Sequence, residues 1–281
     1  MVRTVRSLAV ALLLISTAGL IYAENGDSVV TEVIYGHKDG MALSFDVFKP
    51  EKPNGAGLLF MVSGGWVSRY APPAQYKSFF NAPLDAGFTI FAVRHGSSPR
   101  YKVPEAYSDV KRALRYINLH AAEWGVDPNR LGVFGGSAGG HLSLMLGCTC
   151  DAGDAAGADE VEKAPSKVEA VVAYFPPVDL RTFVGVNERF PALDFDKELA
   201  DDVSPILFVT KDDPPSLMIH GDKDDLVPLQ HSKDIYAKFQ EVGVTTDLIV
   251  LPGAGHGFQG EDAKKAADAL VAWFEKTLAK K

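Results

Sequence analysis

The sequence predicts an α/β fold, a mainly parallel sheet with helices on both of its faces. Three observations carry that expectation. Continuous apolar runs recur at Leu58–Val62, Thr89–Val93, Leu131–Phe134, Val168–Phe175 and Leu217–His220, each the length of a strand buried on both faces. Helical segments alternate with these runs, the arrangement that crossover connections between parallel strands require. Finally, the stretch Leu131–Leu146, LGVFGGSAGGHLSLML, passes from an apolar strand through a glycine-rich turn directly into an apolar helix.

The chain can be followed in order. Arg3 and Arg6 precede an apolar run from Leu8 to Leu20, and Ile21-Tyr22-Ala23 ends in a small residue. This is the pattern of a secretory signal peptide cut after Ala23. The run is shorter than a good membrane span, and an uncleaved anchor is the alternative. The expectation is a secreted or periplasmic chain with no stable membrane insertion after cleavage, residues 24–281 forming one domain. Val29–Gly36 and Met41–Phe48 read as an antiparallel hairpin around Asp39-Gly40. Leu43, Phe45 and Val47 alternate with polar positions, so one face of that hairpin is expected to be wet. After the Leu58–Val62 strand comes Ser63-Gly64-Gly65-Trp66. Pro73–Ala86 reads as a helix and Thr89–Val93 as the next strand. Val103, Tyr107, Val110, Leu114, Ile117, Ala121 and Trp124 recur at steps of four and three, an apolar stripe on a long helix. Asp151–Lys167 reads as loop. Pro176–Pro215 has no strong period, which suits short helices and a small lid or none, and it is too short for a second domain. Gln230–Val242 and Ala263–Leu278 read as helices around an Asp247–Leu251 strand.

Composition narrows the function. The chain has 281 residues, 47% of them hydrophobic, enough for a sizeable core without staples. Its net charge of −8, with no basic stripe, argues against a nucleic-acid partner. Cys148 and Cys150 stand too close in sequence for an unstrained disulfide, and no cysteine or histidine clustering suggests a metal. Gly135–Gly140 lacks the Lys-Ser/Thr pair of a phosphate loop, so no cofactor is expected.

The chemistry lies in three loops that follow strands. The first holds Gly135-Gly136-Ser137-Ala138-Gly139, a G-x-S-x-G motif between a strand and a helix. Such a turn strains the serine backbone and holds its hydroxyl clear of the sheet. Glycines two residues to either side let strand and helix cross. The Ala138 N–H would open the helix and face a developing oxyanion. By chance alone the pentapeptide occurs about once in ten chains of this length, so other loops must support it. Gly221-Asp222-Lys223-Asp224-Asp225 follows one strand, and Gly253-Ala254-Gly255-His256-Gly257-Phe258 follows the last. Serine, acid and histidine thus occur in chain order at strand ends, where active residues collect in open α/β sheets.

From about Phe45 to its end the chain resembles the α/β-hydrolases of the esterase/lipase superfamily. More narrowly, it resembles the secreted branch that includes acetyl esterases and bifunctional feruloyl/acetylxylan esterases. Gly-Gly-Ser-Ala-Gly-Gly-His at 135–141 and HGDKDDLVPLQHS at 220–232 carry the likeness most specifically, with Ser204-Pro205 and Asp212-Asp213-Pro214-Pro215 beside them. The resemblance implies Ser137 as nucleophile and His256 as base. Asp224 is implied as the acid, since it holds the fifth position of His-Gly-x-x-Asp before Val-Pro. Asp222 and Asp225 read as turn or solvent residues, with Asp225 the fallback acid. A second oxyanion donor is implied in the Ser63–Trp66 loop, where family members usually read His-Gly-Gly-x-Trp. Serine replaces that histidine here, and the amide of Gly65 or Trp66 is the candidate donor. His141 reads as a helix residue near the site, and His220 as a partly buried, satisfied histidine.

The implied activity is a serine esterase acting on short or aromatic acyl esters, small or linked to plant-wall polysaccharide. A peptidase of the prolyl-oligopeptidase kind shares the motif order but carries an N-terminal propeller that is not seen here. A lipase would show a long apolar lid. A non-catalytic binding protein on the same fold would have no need of all three residues in order.

Overall fold

The computed structural model describes residues 21–24 and 27–280. The expected targeting segment lies outside these residues, apart from 21–23. Among the described residues nine strands form one sheet. They are β1 (Ile21–Glu24), β2 (Asp27–Lys38), β3 (Met41–Lys49), β4 (Gly57–Met61), β5 (Thr89–Val93), β6 (Leu131–Gly136), β7 (Ala170–Tyr174), β8 (Ser216–Gly221) and β9 (Thr246–Leu251). Their order across the sheet is β1-β2-β3-β5-β4-β6-β7-β8-β9. The first three strands and the β3–β5 pair are antiparallel, and every pair from β5 to β9 is parallel. The expected N-terminal hairpin and parallel sheet are both present.

Two layers of helices cover the sheet. Against one face lie α2 (Val103–His120), α3 (Ala138–Cys148) and α5 (Gln230–Val242), which bury Val110, Leu114, Leu142, Ile235 and Phe239 with Leu59, Met61 and Val133 of the strands. Against the other lie α1 (Lys77–Asp85) and α6 (Gly260–Thr277), whose Phe80, Leu84, Leu270 and Phe274 pack on Leu58, Ile90 and Val172. Adjacent residues of each parallel strand therefore serve opposite cores, which is why these strands read as unbroken apolar runs. The remaining helix, α4 (Glu160–Lys163), is one turn inside the expected loop, begun where the Asp159 carboxylate accepts from the Glu162 N–H. The helix expected over Pro73–Ala86 is divided, a 3₁₀ turn at Pro73–Gln75 preceding α1.

The expected wet face of β3 is a correction. Phe45, Asp46, Val47 and Phe48 are all buried. Phe48 stacks edge-on with Phe80 of α1, 5.0 Å between centroids, so α1 covers the face that alternation left to solvent. Asp46 is polar, but the Arg94 guanidinium at the end of β5 grips it in a fork, 2.6 Å to Oδ2 and 3.0 Å to Oδ1. Asp46 Oδ1 also accepts from the Glu32 N–H at 2.7 Å. Removing one partner of such a pair leaves the other charged and dry, which costs about 3–5 kcal/mol. Asp46→Ala is therefore expected to lose about 3–5 kcal/mol of stability, read from the shift of a urea unfolding midpoint. A shift corresponding to under 1 kcal/mol would show that water reaches Arg94.

Pro176–Pro215 contains four single 3₁₀ turns, at Pro191–Leu193, Lys197–Leu199, Asp201–Val203 and Pro205–Leu207. The segment is fastened to the body. The Lys102 ammonium donates to the Pro191 carbonyl at 2.8 Å, and the Ile206 N–H donates to the Val178 carbonyl. Its short 3₁₀ turns match the short helices that the lack of a strong period suggested.

Candidate active site

The turn between β6 and α3 holds Ser137 at φ 54°, ψ −121°, a conformation that residues with a side chain rarely adopt. Strain of this kind costs about 1–3 kcal/mol and persists only where the surroundings impose it. Two bonds do so. Ser137 N–H donates to the Tyr174 carbonyl at 2.9 Å, and its own carbonyl accepts from His141 N–H at 2.9 Å. A Cβ on Gly135 would stand 2.6 Å from the backbone of Gly139, and one on Gly139 would stand 2.8 Å from the Met61 carbonyl oxygen. The two outer glycines of the motif are thus where strand and helix cross. Among the described residues the Ala138 N–H has no hydrogen-bond partner within the chain.

The loop after β8 supplies one carboxylate to the site. Asp224 Oδ2 lies 2.8 Å from Nδ1 of His256, which follows β9. Oδ1 accepts from the N–H groups of Leu226 and Val227, both at 2.9 Å. The Asp224 side chain is fully buried, and burial alone would raise its pKa. The Val227 amide, the His256 ring and the Leu226 amide outweigh that effect and hold the pKa below the usual carboxylate value. Asp222 accepts instead from the Gly253 N–H at 2.7 Å, tying the two loops together, and Asp225 is exposed. The structure pairs Asp224 with His256, and neither neighbouring aspartate competes.

Sequence reasoning understated His220. Its side chain is fully buried, and its Nε2 lies 2.9 Å from the Val227 carbonyl and 3.2 Å from Asp224 Oδ2. A carbonyl only accepts, so Nε2 carries the proton and Nδ1 accepts from Ser232 Oγ at 2.7 Å. Burial lowers its pKa, which keeps the ring neutral. Asp224 Oδ2 therefore faces two ring N–H groups. Phe175 was also missed. It sits at φ 37° just past β7, and its ring centroid lies 4.6 Å from that of His256. An unbroken apolar run carries no sign that its last residue turns to meet a histidine.

The loop after β4 closes into a tight turn. Gly64 and Val67 exchange both backbone hydrogen bonds, at 3.1 and 3.0 Å, with Gly65 and Trp66 between them, each at φ 56°. Two positive φ values in succession match the mirror-image turn that joins hairpins. Neither central N–H has a partner among the described residues. The side chains and surroundings of the two candidates differ. Gly65 lines the cavity described below, where a Cβ would stand 2.8 Å from the Phe190 ring. Trp66 is buried, and its indole N–H donates to His141 Nδ1 at 3.3 Å. His141 Nε2–H in turn donates to the Val203 carbonyl at 2.7 Å. Burial brings the His141 pKa down to about 4, only partly opposed by that carbonyl, so this histidine is a neutral strut and no base.

Ser137, His256 and Gly65 line one cavity of about 450 Å³. Its walls are largely aromatic: Phe60, Phe79, Tyr174, Phe175 and Phe190, with Leu226. Phe190 comes from the Pro176–Pro215 wall. Among the described residues no group of three or more His, Cys, Asp or Glu side chains could hold a metal ion, and both cysteines are thiols. The chemistry on offer is that of a hydroxyl, an imidazole–carboxylate pair and backbone donors.

The chain is similar in sequence and fold to known esterases. The chain is 27% identical over 266 residues to the probable carboxylic ester hydrolase LipM of Mycobacterium tuberculosis, covering 89% of this chain and 60% of that protein. It is 31% identical over 242 residues to the esterase LipC of the same organism, covering 80% of this chain and 59% of that one. The chain thus spans about 60% of the length of these curated relatives. A solved structure, a truncated form of a carbohydrate esterase from gut microbiota, superposes with a TM-score of 0.76 at 29% identity, covering 94% of this chain and all of that one. The sequence pattern of the BD-FAE family matches residues 45–239, a stretch that includes the elbow, the Ser63–Trp66 loop and Asp224. The fold is that of the α/β-hydrolases, and the chain belongs to the BD-FAE family.

Proposed function

We propose that this protein is a secreted serine carboxylic-ester hydrolase for short or aromatic acyl esters, with acetyl or feruloyl groups on plant-wall carbohydrate as its substrates. In this reading Ser137 Oγ attacks the ester carbonyl and gives its proton to His256. Asp224 holds the His256 Nδ1 proton in place and stabilises the imidazolium formed. The N–H groups of Ala138 and Gly65 receive the oxyanion. His256 then protonates the leaving alcohol, and water cleaves the acyl-enzyme by the same steps in reverse. The observation that carries the reading is the 2.8 Å Asp224–His256 bond beside a strained serine, with serine and histidine lining one cavity. The esterase names of the relatives support the reaction class, and the gut carbohydrate esterase supports the carbohydrate part. The N-terminal sequence pattern supports export.

The test is a p-nitrophenyl ester series from acetate to decanoate, with methyl ferulate and acetylated xylan alongside. A cavity of about 450 Å³ walled by aromatic rings is expected to favour short chains, with kcat/KM falling towards decanoate. Methyl ferulate turnover would assign the aromatic walls to the acyl group. Folded protein that cleaves none of these esters, or that cleaves peptide anilides faster, would overturn the proposal.

A further inference from the structure

Four hydrogen bonds stitch the loop after β4 to the loop after β5. Ser63 Oγ lies 2.8 Å from His95 Nε2. His95 Nδ1 lies 2.8 Å from the Gly96 carbonyl, so its ring proton sits there and Nε2 accepts from the Ser63 hydroxyl. His95 N–H donates to Ser68 Oγ at 3.2 Å, and Ser68 N–H donates to Ser97 Oγ at 2.9 Å. Ser98 N–H donates to the Trp66 carbonyl at 3.2 Å. The receiving loop is itself anchored, since Gly96 N–H donates at 2.8 Å to Asp109 Oδ2, whose other oxygen pairs with the Lys38 ammonium at 2.6 Å.

Resting on the esterase reading, we propose that His95, acting through Ser63, is a positioning residue that fixes the Gly64–Val67 turn and so holds the Gly65 N–H for the oxyanion. The turn needs such a hold. It carries a non-glycine residue, Trp66, at φ 56°, and its own closure rests on a single reciprocal pair of hydrogen bonds. Ser63 adjoins the turn and lines the cavity, where water would otherwise take its hydroxyl. His95 is buried and keeps that hydroxyl engaged. Ser63 is also where the chain departs from His-Gly-Gly-x-Trp. Here the imidazole comes from the end of β5, 32 residues on, and the serine is a short arm reaching it. A donor held loosely must be ordered during the reaction, so the loss falls on the transition state and spares substrate binding.

Ser63→Ala deletes only a hydroxyl and should fold. It is expected to lower kcat on p-nitrophenyl acetate by about tenfold, less than outright loss of an oxyanion donor, with KM within about twofold of wild type. His95→Ala should match it, and the double variant should fall no further than either alone, because both cut the same link. Ser63→Thr and His95→Gln keep a donor and an acceptor and should recover most of the loss. Amide hydrogen exchange across residues 63–67 should accelerate in Ser63→Ala. Wild-type kcat in Ser63→Ala, or additive losses in the double variant, would overturn the proposal. If the wild type itself cleaves no ester, the esterase reading fails on that result. Exchange in Ser63→Ala then still decides whether the pair holds the turn, and unchanged exchange overturns it.

Discussion

Ser137→Ala is expected to lower kcat on p-nitrophenyl acetate by about 10⁵-fold or more, the loss typical of removing a nucleophile that acts as one unit with its base. Nothing else in the site should change. The serine makes its local contacts through backbone N–H and carbonyl, to Tyr174 and from His141, and alanine keeps both. Alanine also has a Cβ, so the strain at φ 54° is retained and the melting temperature should stay within a few degrees. A second readout uses paraoxon, which phosphorylates activated serines. The wild-type chain should gain one phosphoryl adduct on the peptide containing Ser137, and the variant none. Turnover that survives the substitution, or an adduct elsewhere, would move the nucleophile to another residue.

Asp224→Asn is expected to cost about 10⁴-fold in kcat with little loss of stability. The amide is nearly isosteric, and its oxygen can still accept from the Leu226 and Val227 N–H groups that now hold Oδ1. What it then presents where Oδ2 was is an NH₂ group, facing Nδ1 of His256 and Nε2 of His220. A donor there favours the His256 tautomer with its proton on the other nitrogen, the one needed as base. His220 feels the same change, losing its shared acceptor while keeping the Val227 carbonyl. The measurement is kcat and KM with thermal melts on the same samples. A loss below about tenfold would show that the carboxylate is not what orients His256.

Much of this architecture was legible in the residues. β5, at Thr89–Val93, and α5, at Gln230–Val242, have the bounds read from their patterns, because each is uniformly apolar or cleanly periodic. The elbow was legible for a different reason: only glycine tolerates the crossing of Gly135 and Gly139, so the turn leaves a mark in composition. The alternation of Leu43, Phe45 and Val47 misled because it reports only one strand's own pattern, while burial of the opposite face depends on where α1 lands. Phe175 and His95 went unassigned because their partners arrive from other loops; His220 was read as satisfied, and what its position could not show is that Asp224, four residues on, turns back to it. His95 meets Ser63 across 32 positions, and nothing local to either residue records the meeting. Sequence order could place an acid before a histidine, but it could not say that two imidazoles share one oxygen of Asp224.

The backbone at residue 137 sets heat tolerance against reactivity. A conformation at φ 54°, ψ −121° suits glycine better than any side-chain-bearing residue. The amino acid that relaxes this turn is therefore one without a nucleophile. Selection of variants by thermal melting alone would reward loss of the hydroxyl at this single position, and each gain in melting temperature there would mark a chain without the proposed nucleophile. Stabilisation of this scaffold is better sought far from the elbow, in the edge hairpin or on the outer face of α6, where relaxing the chain leaves the serine under tension.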